Sequence, residues 1–163
     1  MINIRKAKLK DITQILNFEN DLFNSAHEIM NKFTPDHFID FKLRGDYEEK
    51  LLKYIKGRIY SKNDAIFIAE YKGKPVGHMI ISIKKNFPIF QMEYYGRINT
   101  VFIKKEFRGR GISSKLKDEA VKWFKKKGIS RISLNVFPDN KIAIDAYEKW
   151  GLSLSLLEMR MTI

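Results

Sequence analysis

The sequence predicts a mixed α/β sandwich, on three observations. Apolar residues recur at helical spacing from Ile12 to Phe23 and from Leu51 to Ile59. From Ala65 the period changes to β-branched and aromatic runs, Ile66 to Tyr71 and Val76 to Ile83. A glycine-bearing loop, Arg108-Gly109-Arg110-Gly111-Ile112-Ser113, then opens another amphipathic stretch and is followed by further extended segments. Helices that border runs of strands bury their apolar faces as layers, and 163 residues are the size of a single domain, taken as residues 1–163.

Each element has a local cause. Ile2 and Ile4 alternate with polar neighbours as a short strand does. Asp11 precedes Ile12, Ile15, Leu16, Leu22 and Phe23, the pattern of an acid-capped helix. Asp46 with Glu49 resembles a capping box, and Leu51, Leu52, Ile55 and Ile59 follow on one face. Lys72-Gly73-Lys74-Pro75 separates two strands as a hairpin turn. A fourth strand ends at Ile103. The helix opening near Gly111 places Ile112, Leu116, Ala120, Trp123 and Phe124 on one side and lysines on the other, and Gly128 ends it. Ile132, Leu134 and Val136 alternate as a fifth strand, and Leu152 to Ile163 reads as a closing strand.

Composition narrows the function classes. The chain has no cysteine, which excludes disulfides, thiolate metal sites and a thiol nucleophile. No run reaches the roughly eighteen apolar residues that span a bilayer, so the expectation is a soluble cytoplasmic protein with no membrane partner. Lysine plus arginine of 31 against 19 acids gives a net charge of +12. That excess draws polyanions, but lysines occur in nearly every segment and no nucleic-acid motif accompanies them. The densest basic stretch, Lys104 to Lys127, surrounds the glycine loop and points instead to an anionic ligand there.

A glycine loop that opens a helix offers unpaired amides to an anion, and the helix dipole adds favourable potential. Arg108 and Arg110 add forked donors suited to phosphate oxygens. A P-loop would need Gly-Lys-Ser/Thr where Ser114-Lys115-Leu116 stands. A dinucleotide fingerprint would need an acid about twenty residues on, and Asp139 fits poorly. The spacing Arg-x-x-Gly-x-small fits Arg108, Gly111 and Ser113.

This third pattern resembles the acetyl-CoA loop of the GNAT acetyltransferases. The likeness continues downstream, where Asn140, Ala143, Tyr147 and Gly151 match the family's Asn-x-x-Ala-x-x-x-Tyr-x-x-x-Gly-Phe in register, with Leu152 in place of the final aromatic. The resemblance implies a mostly antiparallel central sheet of about six to seven strands with helices on both faces and strands four and five splayed apart. It implies acetyl-CoA as acyl donor, no metal, and direct transfer to a primary amine. Val101, Phe102 and Ile103 would hold the pantetheine arm through main chain. Arg108, Gly109, Arg110, Gly111, Ile112, Ser113 and Ser114 would take the pyrophosphate, and Asn140 and Tyr147 would also contact the cofactor. Tyr147 is the expected general acid, donating to the leaving thiolate.

The base is not resolved at this level. Many relatives carry a glutamate early in strand four, and here that position is Arg97, which cannot accept a proton. Glu93 is the first substitute, with Glu70, His78 or a water held by Asn99 as others. The acceptor pocket is expected from residues 20 to 60 and the segment beyond strand three, where Asp36, Asp40, Asp46, Glu48 and Glu49 either attract a cationic amine or decorate helix surfaces. Two rivals stay open: an acyl-CoA-binding regulatory module without catalysis, and a basic nucleic-acid-associated protein. Exposed strand edges are compatible with a homodimer.

Overall fold

The computed structural model describes residues 1–33, 35–161 and 163. Five strands form one sheet in the order β1 (Ile2–Lys6), β2 (Asp64–Tyr71), β3 (Lys74–Lys85), β4 (Tyr94–Ile103) and β5 (Ile132–Ser133). The first four pair antiparallel and β5 runs parallel to β4, so the sheet is mixed. Among the described residues it is smaller than expected, by the closing strand.

Alternation in the strands divides the core between two helical layers. Ala65, Phe67 and Ala69 of β2 with Met79 and Ile81 of β3 pack against Ile112, Leu116, Ala120 and Phe124 of α3 (Ile112–Lys126). Ile66, Ile68 and Ile80 point the other way, to Ile15 of α1 (Ile12–Phe33) and Leu51 and Ile55 of α2 (Tyr47–Tyr60). A period of two in the strands thus supplies both faces, and the helical stripes cover them. A 3₁₀ segment, Pro35–Phe41, links α1 to α2, and α4 (Lys141–Lys149) follows β5.

Several expectations change in detail. Leu152 to Met161 forms no strand: Leu154, Leu156, Leu157, Met159 and Met161 are exposed, and Arg160 ties the segment back to Asp40 at 2.9 Å. Alternation alone makes no strand unless an edge is there to receive it. The fifth strand stops at Ser133, before Leu134 and Val136. Asp11 does not cap α1; its carboxylate accepts from the Lys8 amide at 2.7 Å and from both Arg5 terminal nitrogens at 2.8 Å. Asp46 stands at the N-cap of α2 but pairs with Arg44 and Lys50 instead of the helix amides.

Candidate active site

β4 is paired on both sides only at its start. Gly96 and Arg97 face Ile132 and Ser133 of β5, and Gly96 donates its amide to the Arg131 carbonyl at 2.8 Å. From Ile98 to Ile103 the strand has β3 alone as a neighbour, so β4 and β5 part at that point. Two residues pin the apex. The Phe124 ring lies so close over Gly96 that a Cβ there would come within 2.7 Å of it, and Arg97 donates to the Ser133 hydroxyl at 3.3 Å. The Arg97 guanidinium is therefore a clamp between β4 and β5 at the apex of the splay.

A β-bulge lies just beyond. Thr100 pairs with Ile80 and Ile98 with Ile81, leaving Asn99 as the extra residue. Asn99 and Thr100 consequently both meet side chains on the α1 side: Asn99 exchanges hydrogen bonds with Ser82 at 3.1 and 3.2 Å, and Thr100 donates to Glu19 at 2.7 Å. Ile98, Val101 and Ile103 belong to the α3 side, whereas Phe102 packs on Phe18 of α1.

The open edge of β4 leads into the glycine loop. Gly109 and Gly111 have φ of 75° and 70°, values that side-chain-bearing residues avoid, and Gly111 directly precedes the first turn of α3. Among the described residues, no acceptor meets the backbone amides of residues 109 to 114; the first paired amide is that of Lys115, at 3.2 Å from the Gly111 carbonyl. Aligned free amides with the positive end of a helix dipole form an anion cradle. Arg108 donates through Nε to the Ile103 carbonyl at 3.0 Å, and Arg110 donates to the Glu106 carbonyl at 3.1 Å. Each guanidinium keeps further donors on the exposed rim of the loop.

Across the splay, α4 begins at Asn140, whose side chain accepts from the Ala143 amide at 3.2 Å and so acts as a helix cap. Its end is tied to α3 by the Trp150 indole, which donates to the Ser114 hydroxyl at 3.2 Å. Tyr147 packs against Trp150 with ring centroids 5.1 Å apart, and its hydroxyl has no protein partner among the described residues. Burial pushes the Tyr147 phenol above its ordinary value of 10.0, so it keeps its proton at neutral pH and can donate it.

The α1 side of β4 holds a polar cluster that the sequence reading left unassembled. Glu19 and His78 are both almost fully buried, and Glu19 Oε1 lies 2.6 Å from His78 Nε2. The imidazole stacks on Phe18 with centroids 5.5 Å apart, while its Nδ1 is buried without a partner among the described residues, which costs about 1 to 3 kcal/mol. Glu19 carried a visible signal, an acid one helical turn after Ile15 on an apolar stripe. Of the other residues considered as bases, Glu70 is bound by Arg5 at 2.8 Å and Glu93 is exposed just before β4. The acids of the connecting segment lie outward: Asp40 pairs with Arg160, Asp46 with Arg44 and Lys50, Glu48 accepts from Tyr47, and Glu49 is exposed. The side chain of Asp36 is outside what is described. Phe41, however, touches Phe137 edge-on at 5.4 Å, so the 3₁₀ segment reaches the chain beyond β5.

Comparison with known proteins agrees with this geometry. Residues 24–152 match the model of the acetyltransferase (GNAT) family. An uncharacterized N-acetyltransferase of Methanocaldococcus jannaschii is 34% identical over 90% of this chain and 70% of its own. The N-alpha-acetyltransferase MAK3 of Arabidopsis thaliana is 28% identical over 69% of this chain, which spans only 56% of that protein. Among solved structures, the aminoglycoside N-acetyltransferase AAC(6')-Iy in complex with CoA superposes with a TM-score of 0.76 at 16% identity, covering 100% of this chain and 95% of that one. A predicted acetyltransferase of Clostridium acetobutylicum with acetyl-CoA gives 0.72 at 22% identity, with 98% and 96% covered.

Proposed function

Because this chain belongs to the acetyltransferase (GNAT) family, we propose that it transfers the acetyl group of acetyl-CoA directly to a primary amine. The observation that carries the reading is continuous backbone: a strand edge from Ile98 to Ile103 with no strand beside it, its Ile103 carbonyl held by Arg108, runs into a loop whose amides at 109 to 114 have no acceptor among the described residues. The edge suits the amide-bearing pantetheine arm, which adds to β4 where a strand is missing, and the loop suits the diphosphate. Val101, Phe102 and Ile103 contribute main chain. Gly109, Gly111, Ile112, Ser113 and Ser114 contribute amides, and Arg108 and Arg110 contribute charge. Asn140 holds the start of α4 and so the register of Tyr147.

In the reaction the amine nitrogen bonds to the thioester carbon, and the tetrahedral adduct collapses with cleavage of the carbon–sulfur bond. The thiolate takes the phenolic proton of Tyr147, and the nitrogen releases its surplus proton to solvent. Glu93, exposed just before β4, would act on that proton through water. Calorimetry with acetyl-CoA, followed by transfer assays on polyamines, aminoglycosides, lysine peptides and peptide amino termini, tests the reading. Binding with turnover supports it. Binding without turnover on any amine leaves an acyl-CoA-binding module, and absence of binding overturns both.

A further inference from the structure

We infer that Thr100 binds the attacking nitrogen of a cationic amine acceptor, and that the buried Glu19–His78 pair holds its hydroxyl in the orientation this requires. The inference rests on the acetyltransferase reading and names the acceptor class of that same site.

A threonine hydroxyl has one proton and two lone pairs. At Thr100 the proton is committed to Glu19 Oε1 at 2.7 Å, so whatever meets the hydroxyl from the open side must itself be a donor. Oε1 is fixed in turn by His78 Nε2 at 2.6 Å, which leaves Thr100 no competing acceptor orientation, the imidazole nitrogen lying at 3.5 Å. Glu19 is 1% exposed and His78 0%, whereas Thr100 is half-buried, so Thr100 is the least buried member of the cluster. It sits beside the Asn99 bulge, on the stretch of β4 that β5 has left.

Among the described residues His78 is the basic side chain within ion-pair distance of Glu19, and no lysine or arginine is. An alkylammonium supplies the N–H donors that the lone pairs of the Thr100 hydroxyl call for. Its neutral fraction attacks, and the nitrogen becomes positive again in the tetrahedral adduct, where the same acceptor stabilises it until the proton departs to solvent. Glu19 and His78 act through Thr100 and are positioning residues.

The test compares Glu19→Gln, Thr100→Val, Thr100→Ser and the Glu19→Gln/Thr100→Val double variant with the unaltered protein. Each is assayed for acetyl-CoA affinity by calorimetry, thermal midpoint, and kcat and KM for the best cationic acceptor of the panel above. The expected result is an acetyl-CoA affinity within about threefold of the original, and kcat/KM lowered about tenfold or more by Glu19→Gln and by Thr100→Val, mainly through the amine KM. Thr100→Ser should restore most of the loss, and the double variant should be no worse than Thr100→Val alone. Should Glu19→Gln fail to fold, the Thr100 pair decides the matter. Unchanged amine KM in Thr100→Val, or losses that multiply in the double variant, overturns the inference while leaving the acetyltransferase reading intact. An unaltered protein that binds acetyl-CoA but acetylates no cationic amine overturns both.

Discussion

The two sides of β4 are built in opposite ways. On the side proposed for the acetyl donor the parts are mainly main-chain groups from one stretch, Ile98 to Ser114, and their placement follows from strand, turn and helix geometry. On the side proposed for the acceptor the parts are side chains from three distant elements, Glu19 of α1, His78 of β3 and Thr100 of β4, and only packing brings them together. A site made of backbone tolerates wide sequence change, because amides are the same in every residue. A site made of buried side chains is set by a few identities, and there a family can vary its acceptor without disturbing its donor.

That contrast can be broken most forcefully at Tyr147, the proposed acid for the leaving thiolate. Tyr147→Phe should lower kcat by about 10² to 10⁴-fold in a transfer assay, while acetyl-CoA affinity by calorimetry stays within about threefold. At the apex, Gly96→Ala sets a methyl 2.7 Å from the Phe124 ring and should destabilise the fold by about 1 to 3 kcal/mol, read as a lower denaturant midpoint with unchanged m. Gly111→Val should place a β-branched residue at a φ of 70° at a strain of roughly 1 to 2 kcal/mol. Calorimetry and melting together should find it, either as weaker acetyl-CoA binding or as lower stability, with the amine KM unmoved.

The smallest effect concerns the anchoring of α1. The Arg5 guanidinium and the Lys8 amide, working against burial, hold the Asp11 carboxyl below its ordinary value. A carboxyl depressed in the folded state contributes stability above its unfolded value of about 3.9, and that contribution fades as pH falls through the lower folded value. Denaturation midpoints should therefore drop below about pH 4, and Asp11→Asn should flatten that acid limb.

Legibility in the sequence follows the same division. The hairpin at Lys72-Gly73, the apolar stripe of α3 and the glycine loop before it are local, and each was readable from a window of a few turns. The Asn140-to-Gly151 spacing was readable too, and the chain's family with it. Gly96 was passed over because its reason is a ring on another element. Leu152 to Met161 alternates like a strand yet pairs with no strand among the described residues, since pairing depends on a receptive edge elsewhere.

By itself the sequence determined the layered α/β class, the helical faces and the glycine loop that opens α3, because these depend on periodicity and on backbone angles that neighbouring residues set. Tertiary structure alone decided where β4 and β5 part, that Arg97 clamps the splay, and that Glu19, His78 and Thr100 share a proton-donor network. Those contacts join residues 36 to 81 positions apart, and burial, not local propensity, selects them.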